Sequence, residues 1–224
     1  MAFNNPLSSS SRSLPGRIDA LLRSCAMPLA PFLAYFVGMV LGLQGEQVSR
    51  SVLWLLPPTI LVWGILYPPL LINHLHDSAL RTLPDDPPGV RLGRILKMPW
   101  RIAFYVMPGS YTFGAICFCT GVCVWFNKSL WLVVWGTAIA LAVGLLLALP
   151  AGLAIERWVQ PLALEEQQRH PHLRVVGGGL FWVRQSWFLP YAFLVCLMSL
   201  IILGGVAVAV QTTNVQRRYI QDME

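Results

Sequence analysis

Apolar residues run along this chain in five stretches that contain no Asp, Glu, Lys or Arg: Met27–Leu43, Val52–Asn73, Ile102–Phe126, Leu130–Ile155 and Trp187–Val210. A helix needs roughly 20 residues to cross the hydrocarbon core of a bilayer. Each stretch is close to that length, the first at the short limit. The pattern predicts an all-α integral membrane protein, a bundle of about five transmembrane helices. Ahead of the first stretch, Gly16–Ala26 carries apolar Ile18, Leu21, Leu22 and Cys25 with Arg17 and Arg23 beside them. That is the pattern of a short interfacial helix lying along the cytoplasmic membrane surface. Residues 1–16, with the run Ser8–Ser11 and prolines Pro6 and Pro15, read as a disordered cytoplasmic tail. Residues 17–210 then form the transmembrane domain and 211–224 a short C-terminal tail.

Composition supports this reading. Hydrophobic residues make up 56% of the chain and charged residues 12%, about half the ~25% typical of soluble domains. The net charge of +6 is not a nucleic-acid footprint, because the basic residues lie between apolar spans, where they set orientation. One side collects Arg12, Arg17, Arg23, Arg81, Arg91, Arg94, Lys97, Arg101, Arg157, Arg169, Arg174 and Arg184; the other has only Arg50, Lys128, Arg217 and Arg218. The positive-inside rule places the N-terminus in the cytoplasm and the C-terminus outside, in the periplasm of a bacterial inner membrane. Met1–Arg23 has no apolar core of a cleavable signal peptide, so the first span would serve as an uncleaved anchor. Trp54, Trp100, Trp125, Trp131, Trp158, Trp182 and Trp187 fall near span ends, as an aromatic belt does. Trp63 sits mid-span and needs a packing explanation.

The clearest constellation lies in the fourth span. Gly136, Ala140, Gly144, Ala148 and Gly152 recur every four residues, which puts them on one helix face. Small side chains there let another helix backbone approach closely. The first span has a shorter series, Ala34, Gly38 and Gly42. These eight residues are the expected helix-packing sites. Proline is the second feature: Pro57-Pro58 and Pro68-Pro69 in the second span, Pro108 before Gly109 in the third, Pro150 and Pro190 in the fourth and fifth. Interior proline removes a backbone hydrogen bond and kinks a helix.

Between the spans the two inner segments share one order: a polar stretch (His74–Leu83; Glu156–Arg169), a break (Pro84–Gly89; His170–His172) and a basic amphipathic stretch (Val90–Arg101; Leu173–Arg184). This reads as a weak internal repeat of span, elbow and span in parallel orientation. The outer connections, Gln44–Arg50 and the turn at Asn127–Lys128, are tight.

Little in the chain points to chemistry. Four of the five cysteines (Cys117, Cys119, Cys123, Cys196) lie within spans, and Cys25 lies just before one, so no disulfide framework is expected. Cys117, Cys119 and Cys123 do not share one helix face and cannot close a tetrahedral site alone. The pairs His74/His76 and His170/His172 lack neighbouring ligands at metal-site spacing, although two such pairs could bind a metal or sense pH. No nucleotide loop, nucleophile elbow or dinucleotide fingerprint occurs. The expectation is that the chain is not an enzyme, and no cofactor can be identified from it.

The elbow residues Leu80, Arg81 and Pro84, then Arg91, Leu92, Arg94, Ile95, Leu96, Pro99 and Arg101 entering a span, with Glu156, Arg157 and Pro161 leaving one, resemble the membrane domain of bacterial multi-span adenylate cyclase receptors. The resemblance covers Met27–Val210. It implies a sensor-type membrane module, but that family continues through a sixth helix, a HAMP linker and a catalytic domain, and no cyclase residue occurs here to carry over. The expected function is a non-enzymatic membrane module, sensor-type or an accessory subunit, in contact with the lipid bilayer and with other membrane subunits or a second copy of itself. The alternative is a small transporter or channel component with the proline-broken spans lining its path.

Overall fold

The computed structural model describes residues 7–80, 88–169 and 185–221, and every regular element among them is helical. In chain order these are α1 (Leu7–Ala26), α2 (Leu29–Val40), α3 (Gly45–Trp54), α4 (Leu56–Thr59), a π-helical segment (Ile60–Leu66), α5 (Tyr67–Leu80), α6 (Pro88–Trp125), α7 (Trp131–Arg169) and α8 (Gln185–Gln221). Among the described residues four stretches are long and apolar enough to cross a membrane: Leu14–Val40, Leu56–Leu80, Gly89–Trp125 and Trp131–Gln168. In α8 the apolar part, Ala192–Gly205, is shorter. Large apolar side chains such as Phe32, Leu70, Val124 and Phe193 face outward, which is consistent with contact to lipid.

The helices are longer than the charge-free stretches. α6 has 38 residues and α7 has 39, so each is about 57 Å long at 1.5 Å per residue, against roughly 30 Å of hydrocarbon. The surplus lies at one end. The segments expected as elbows, His74–Leu80, Val90–Arg101 and Glu156–Arg169, are instead continuous helix. The reason is visible in their apolar spacing. Leu92, Ile95, Met98 and Ile102 on α6, and Ile155, Val159 and Ala163 on α7, continue the buried face past the span and pack with Ala79 of α5. Of the first expected break, Pro84–Gly89, Pro88 and Gly89 already begin α6 and residues 84–87 lie outside the described residues, as do the second break and its basic stretch, within 170–184.

α1 completes this end. It begins at Leu7, inside the stretch expected to be a tail, and Leu14, Ile18 and Leu22, four residues apart, are buried against α5, α6 and α7. Its apolar face is thus docked on protein and not in the headgroup layer. A second core, at the opposite end, gathers Val37 of α2 and Leu41 just beyond it, Val48 of α3, Phe118 and Val122 of α6 and Ile139 of α7.

The opposite end is closed by two turns of the same chemistry. Gly42 has φ 73° and Asn127 has φ 49°, the left-handed conformation that Gly and Asn tolerate at helix ends. Leu43 N–H reaches back to Gly38 O at 3.1 Å, and Lys128 N–H to Cys123 O at 2.8 Å, satisfying carbonyls that the helix end leaves free. The expected outer loop Gln44–Arg50 is helix from Gly45 on, with Gln44 as its extended N-cap. In α3, Gln47 Oε1 accepts from the Gln44 N–H at 3.1 Å, and Glu46 pairs with Arg50 at 2.6 Å on the exposed side. Consequently the second apolar helix starts at Leu56 and not at Val52.

If α1 is docked as described, Ile18→Ala should destabilise the protein by about 2–5 kcal/mol, the usual cost of emptying a buried isoleucine site. Thermal unfolding in mild detergent, with limited proteolysis of the N-terminal segment, measures it. An unchanged melting temperature would mean that the helix lies free of the bundle.

Candidate functional site: an apolar cleft between two cores

The stripe on α7 faces α6. A Cβ added at Gly152 would lie 2.7 Å from the Trp100 ring, one at Gly144 2.7 Å from Cα of Pro108, and one at Gly136 would collide with Cys119 Sγ. Ala140 and Ala148 between them are fully buried. As the residue number falls on α7 it rises on α6, so the two helices form an antiparallel pair along the whole stripe. The closest approach is backbone to backbone at Gly144, beside the Pro108 position where α6 lacks an N–H.

The shorter series divides. Ala34 is buried in the second core, and Gly38 faces Val48 of α3, whose methyls lie 3.0 Å from a Cβ built there. Gly42 does not pack. It lies beyond α2 and forms the left-handed turn described above, because periodicity alone does not reveal where a helix stops. The tryptophans divide too. Trp54, Trp125 and Trp131 are exposed at the Gly42/Asn127 end, as a belt requires. Trp100 is only 5% exposed and fills the space over Gly152, while Trp158 carries Arg17 over its ring at 5.7 Å. The side chains of Trp182 and Trp187 lie outside the described residues.

The two cores do not meet everywhere. Between them is a half-open cleft with a cavity volume of about 110 Å³, walled by the junction of α1 and α2, by α4 and the π segment, by α6 and by Ala140 of α7. Its position follows from proline. At the α1–α2 junction Pro31 has no N–H for Met27 O, so Ala30 donates to Met27 instead, at 3.3 Å. That leaves Ala26 O without its helical donor, and the Tyr111 hydroxyl supplies one at 2.9 Å from α6. On the facing wall Pro69 has no N–H for Ile65 O. Arg23 Nη2 donates to that carbonyl at 3.0 Å while its guanidinium pairs with Asp19, Nη2 to Oδ2 at 2.7 Å and Nε to Oδ1 at 3.0 Å. Two side chains therefore occupy two carbonyls that proline released, one on each side of the cleft. Kinks and π segments open space that straight helices would fill.

Trp63 finds its packing here. Its ring stacks on Phe113 at 5.1 Å and lies 5.6 Å from Tyr67, and its Nε1 donates to Cys117 Sγ at 3.3 Å. Tyr67 in turn covers Gly109. Tyr111 and the hydroxyls of Thr59 and Ser110 carry no signal in the sequence, and Arg23 reads there only as a basic residue of an interfacial helix that helps set orientation. The usable signal was the i, i+4 pair of Asp19 and Arg23 ahead of the first span, combined with Pro68-Pro69 in the second.

Other candidate chemistry is not assembled. His74 is exposed. His76 is buried, with Nδ1 3.4 Å from the Asp77 carboxylate, and His170 and His172 lie outside the described residues. Among the described residues no three His, Cys, Asp or Glu side chains converge as a metal site would need, and the cysteines are free thiols. At the projecting end Arg91 faces the buried Glu166 carboxylate at 3.8 Å, an attraction across α6 and α7 that is too long for a direct hydrogen bond. Comparison of the chain with protein-family models, curated proteins and solved structures found no match.

Gly144→Leu should cost the bundle at least the 1–3 kcal/mol typical of overpacking, because the obstacle is the Pro108 backbone, whereas Gly204→Leu, with no atom near a built Cβ, should have little effect. Equal melting temperatures for the two variants in detergent would show that α6 and α7 do not approach as described. Tyr111→Phe removes the donor to Ala26 O and should cost about 1–3 kcal/mol, the penalty for a buried acceptor left unmet. Chemical unfolding against wild type measures that loss.

Proposed function

We propose that this chain is a non-enzymatic polytopic membrane module, a sensor-type membrane domain or an accessory subunit, that acts through its helices. The carrying observation is the projecting end. The α6–α7 pair exceeds the hydrocarbon thickness by about 27 Å, and α1 and α5 pack on it around a buried core. A rigid helical stump at a membrane surface is suited to holding another protein or relaying a change of helix position to one. In this reading α8 supplies the fifth span, the N-terminus and the stump are cytoplasmic by the positive-inside rule, and the membrane is the bacterial inner membrane. The resemblance to adenylate cyclase membrane domains favours the sensor-type form.

The alternative, a small transporter component, draws on one observation: the second apolar helix changes from α- to π-helical over Ile60–Leu66, and π-helical turns occur often at functional sites. The lining of the cleft argues against ions as cargo, since its one cation is already paired.

Purification of the tagged chain from native membranes in mild detergent should bring down a stoichiometric protein partner, identified by mass spectrometry. Reconstituted alone in liposomes, the chain should give no solute flux. A partner-free homo-oligomer that mediates flux would overturn the accessory reading and establish the transporter.

A further inference from the structure

We infer that the cleft is a binding site for a neutral, lipid-soluble molecule: a single apolar chain bearing one hydrogen-bond-accepting oxygen. This inference does not depend on the identity of any protein partner.

The lining selects for it. Five cleft side chains carry nitrogen or oxygen, and four of these already have partners within the protein. Arg23 is paired with Asp19 and bonded to Ile65 O. Tyr111 donates to Ala26 O, Thr59 donates to Leu55 O at 2.7 Å, and Trp63 donates to Cys117 Sγ. The fifth, Ser110, has a buried hydroxyl with no partner. A buried hydroxyl without a partner is costly, and once the Ser110 side chain turns toward the cleft an acceptor oxygen on a guest would satisfy it. No unpaired charge remains to receive a carboxylate or an ammonium group, and burying either one unpaired is strongly unfavourable. The remaining wall is apolar, formed by groups such as Leu33, Val37, Ile60, Val106 and Phe118.

Size and access agree. The cavity volume of about 110 Å³ is below the ~300–1,000 Å³ of pockets that enclose whole small ligands, so it suits one hydrocarbon chain and not a bulky guest. Apolar cavities of ~150 Å³ stay dry and accept hydrocarbon, so water is a poor occupant. A second, apolar groove lined by Pro31, Leu53, Pro57 and Leu61 shares Leu56 and Ile60 with the cleft. Leu53 and Leu61 are exposed on the outer surface of the bundle, so the cleft lies two side chains from the lipid-facing side. A guest can enter sideways from the bilayer.

The guest could be a bilayer lipid inserting an esterified chain or a free neutral molecule, and three probes with the same diazirine-bearing chain separate these sources. They are a fatty acid methyl ester, a phosphatidylcholine and the free fatty acid at neutral pH. Each is photolysed with the full-length protein in liposomes, and the adducts are mapped by peptide mass spectrometry. The methyl ester should label α6 around Ser110–Phe118 and the π segment, and the free acid should label them several-fold less. Phosphatidylcholine labelling at the same peptides would identify bilayer lipid as a source, and its absence there would identify free neutral molecules as the guests.

Gly114→Leu should reduce methyl ester labelling about tenfold. A Cβ there makes only ordinary contact with Thr59 and Trp63, at 3.5 and 3.8 Å, so the longer side chain occupies the cleft without displacing backbone. Ala115→Leu, from the same wall, is the second blocking variant. Ser110→Ala should reduce labelling about threefold, equivalent to one modest hydrogen bond. The inference is overturned if wild-type adducts fall only on outward positions such as Phe32, Leu70 and Val124. It is equally overturned if a blocking variant with wild-type melting temperature labels the cleft peptides as strongly as wild type does.

Discussion

Everything in this bundle is arranged around the contact between Gly144 and the backbone of Pro108. Helices surrounded by lipid gain little from burying apolar surface, because lipid tails are equally apolar; they associate through close packing. The stripe from Gly136 to Gly152 removes the side chains that would hold α7 away, and α6 moves into the space, with Cys119, Pro108 and Trp100 meeting the three glycines in turn. Once that pair is fixed, both helices can extend well beyond the hydrocarbon as one rigid unit. α1 and α5 then have an apolar surface on which to dock at the projecting end, and α2 and α3 at the other. The two cores are consequences of the one pair, laid against its two ends.

Between those ends the deciding constraint is the backbone. A carbonyl without a donor is costly where water is absent, so a proline in an apolar helix creates a demand that another element must meet. Here the demands at Ala26 and Ile65 are met by Tyr111 and Arg23. Both are cross-element bonds, and they fix the α1–α2 junction and the π segment at a distance set by side-chain length and not by direct helix contact. The cleft is the space left by that distance. Its polar wall atoms are largely committed to holding the backbone together, which is why its surface toward a guest is apolar despite containing an arginine and a tyrosine.

The sequence made the helical class and four of the apolar spans legible, because charge-free runs and four-residue spacing are one-dimensional signals. It also made the α7 stripe legible as a helix face, though not α6 as its partner. What escaped were features decided across elements. Trp100 reads as a belt residue from its place beside a span, but Gly152 on another helix turns it into core. Gly42 continues the spacing of Ala34 and Gly38, yet one φ angle ends the helix before it. The apparent elbows are helices because Leu92, Ile95 and Val159 have each other to pack against, a compensation no single segment displays. α1 is the sharpest case: a polar, serine-rich run gives no reason to order Leu14 until the α5–α6–α7 surface beneath it exists.

The same reasoning explains why an open cleft can persist in a protein whose other contacts are so close. In a water-soluble core an apolar void is lost contact energy, and sequences are under pressure to fill it. Beside a bilayer the reference state differs, since a hydrocarbon chain entering from the side restores those contacts with no water to displace. Filling the cleft with larger side chains would therefore gain little for the protein unless the guest were absent. It would also require moving the α1–α2 junction or the π segment, and with them the donors to Ala26 O and Ile65 O. Gly114 and Ala115 on the α6 wall keep the space free without disturbing those bonds. Ser110 is the one wall group whose hydrogen-bonding capacity the fold does not use, and it marks where an occupant's polarity would have to lie.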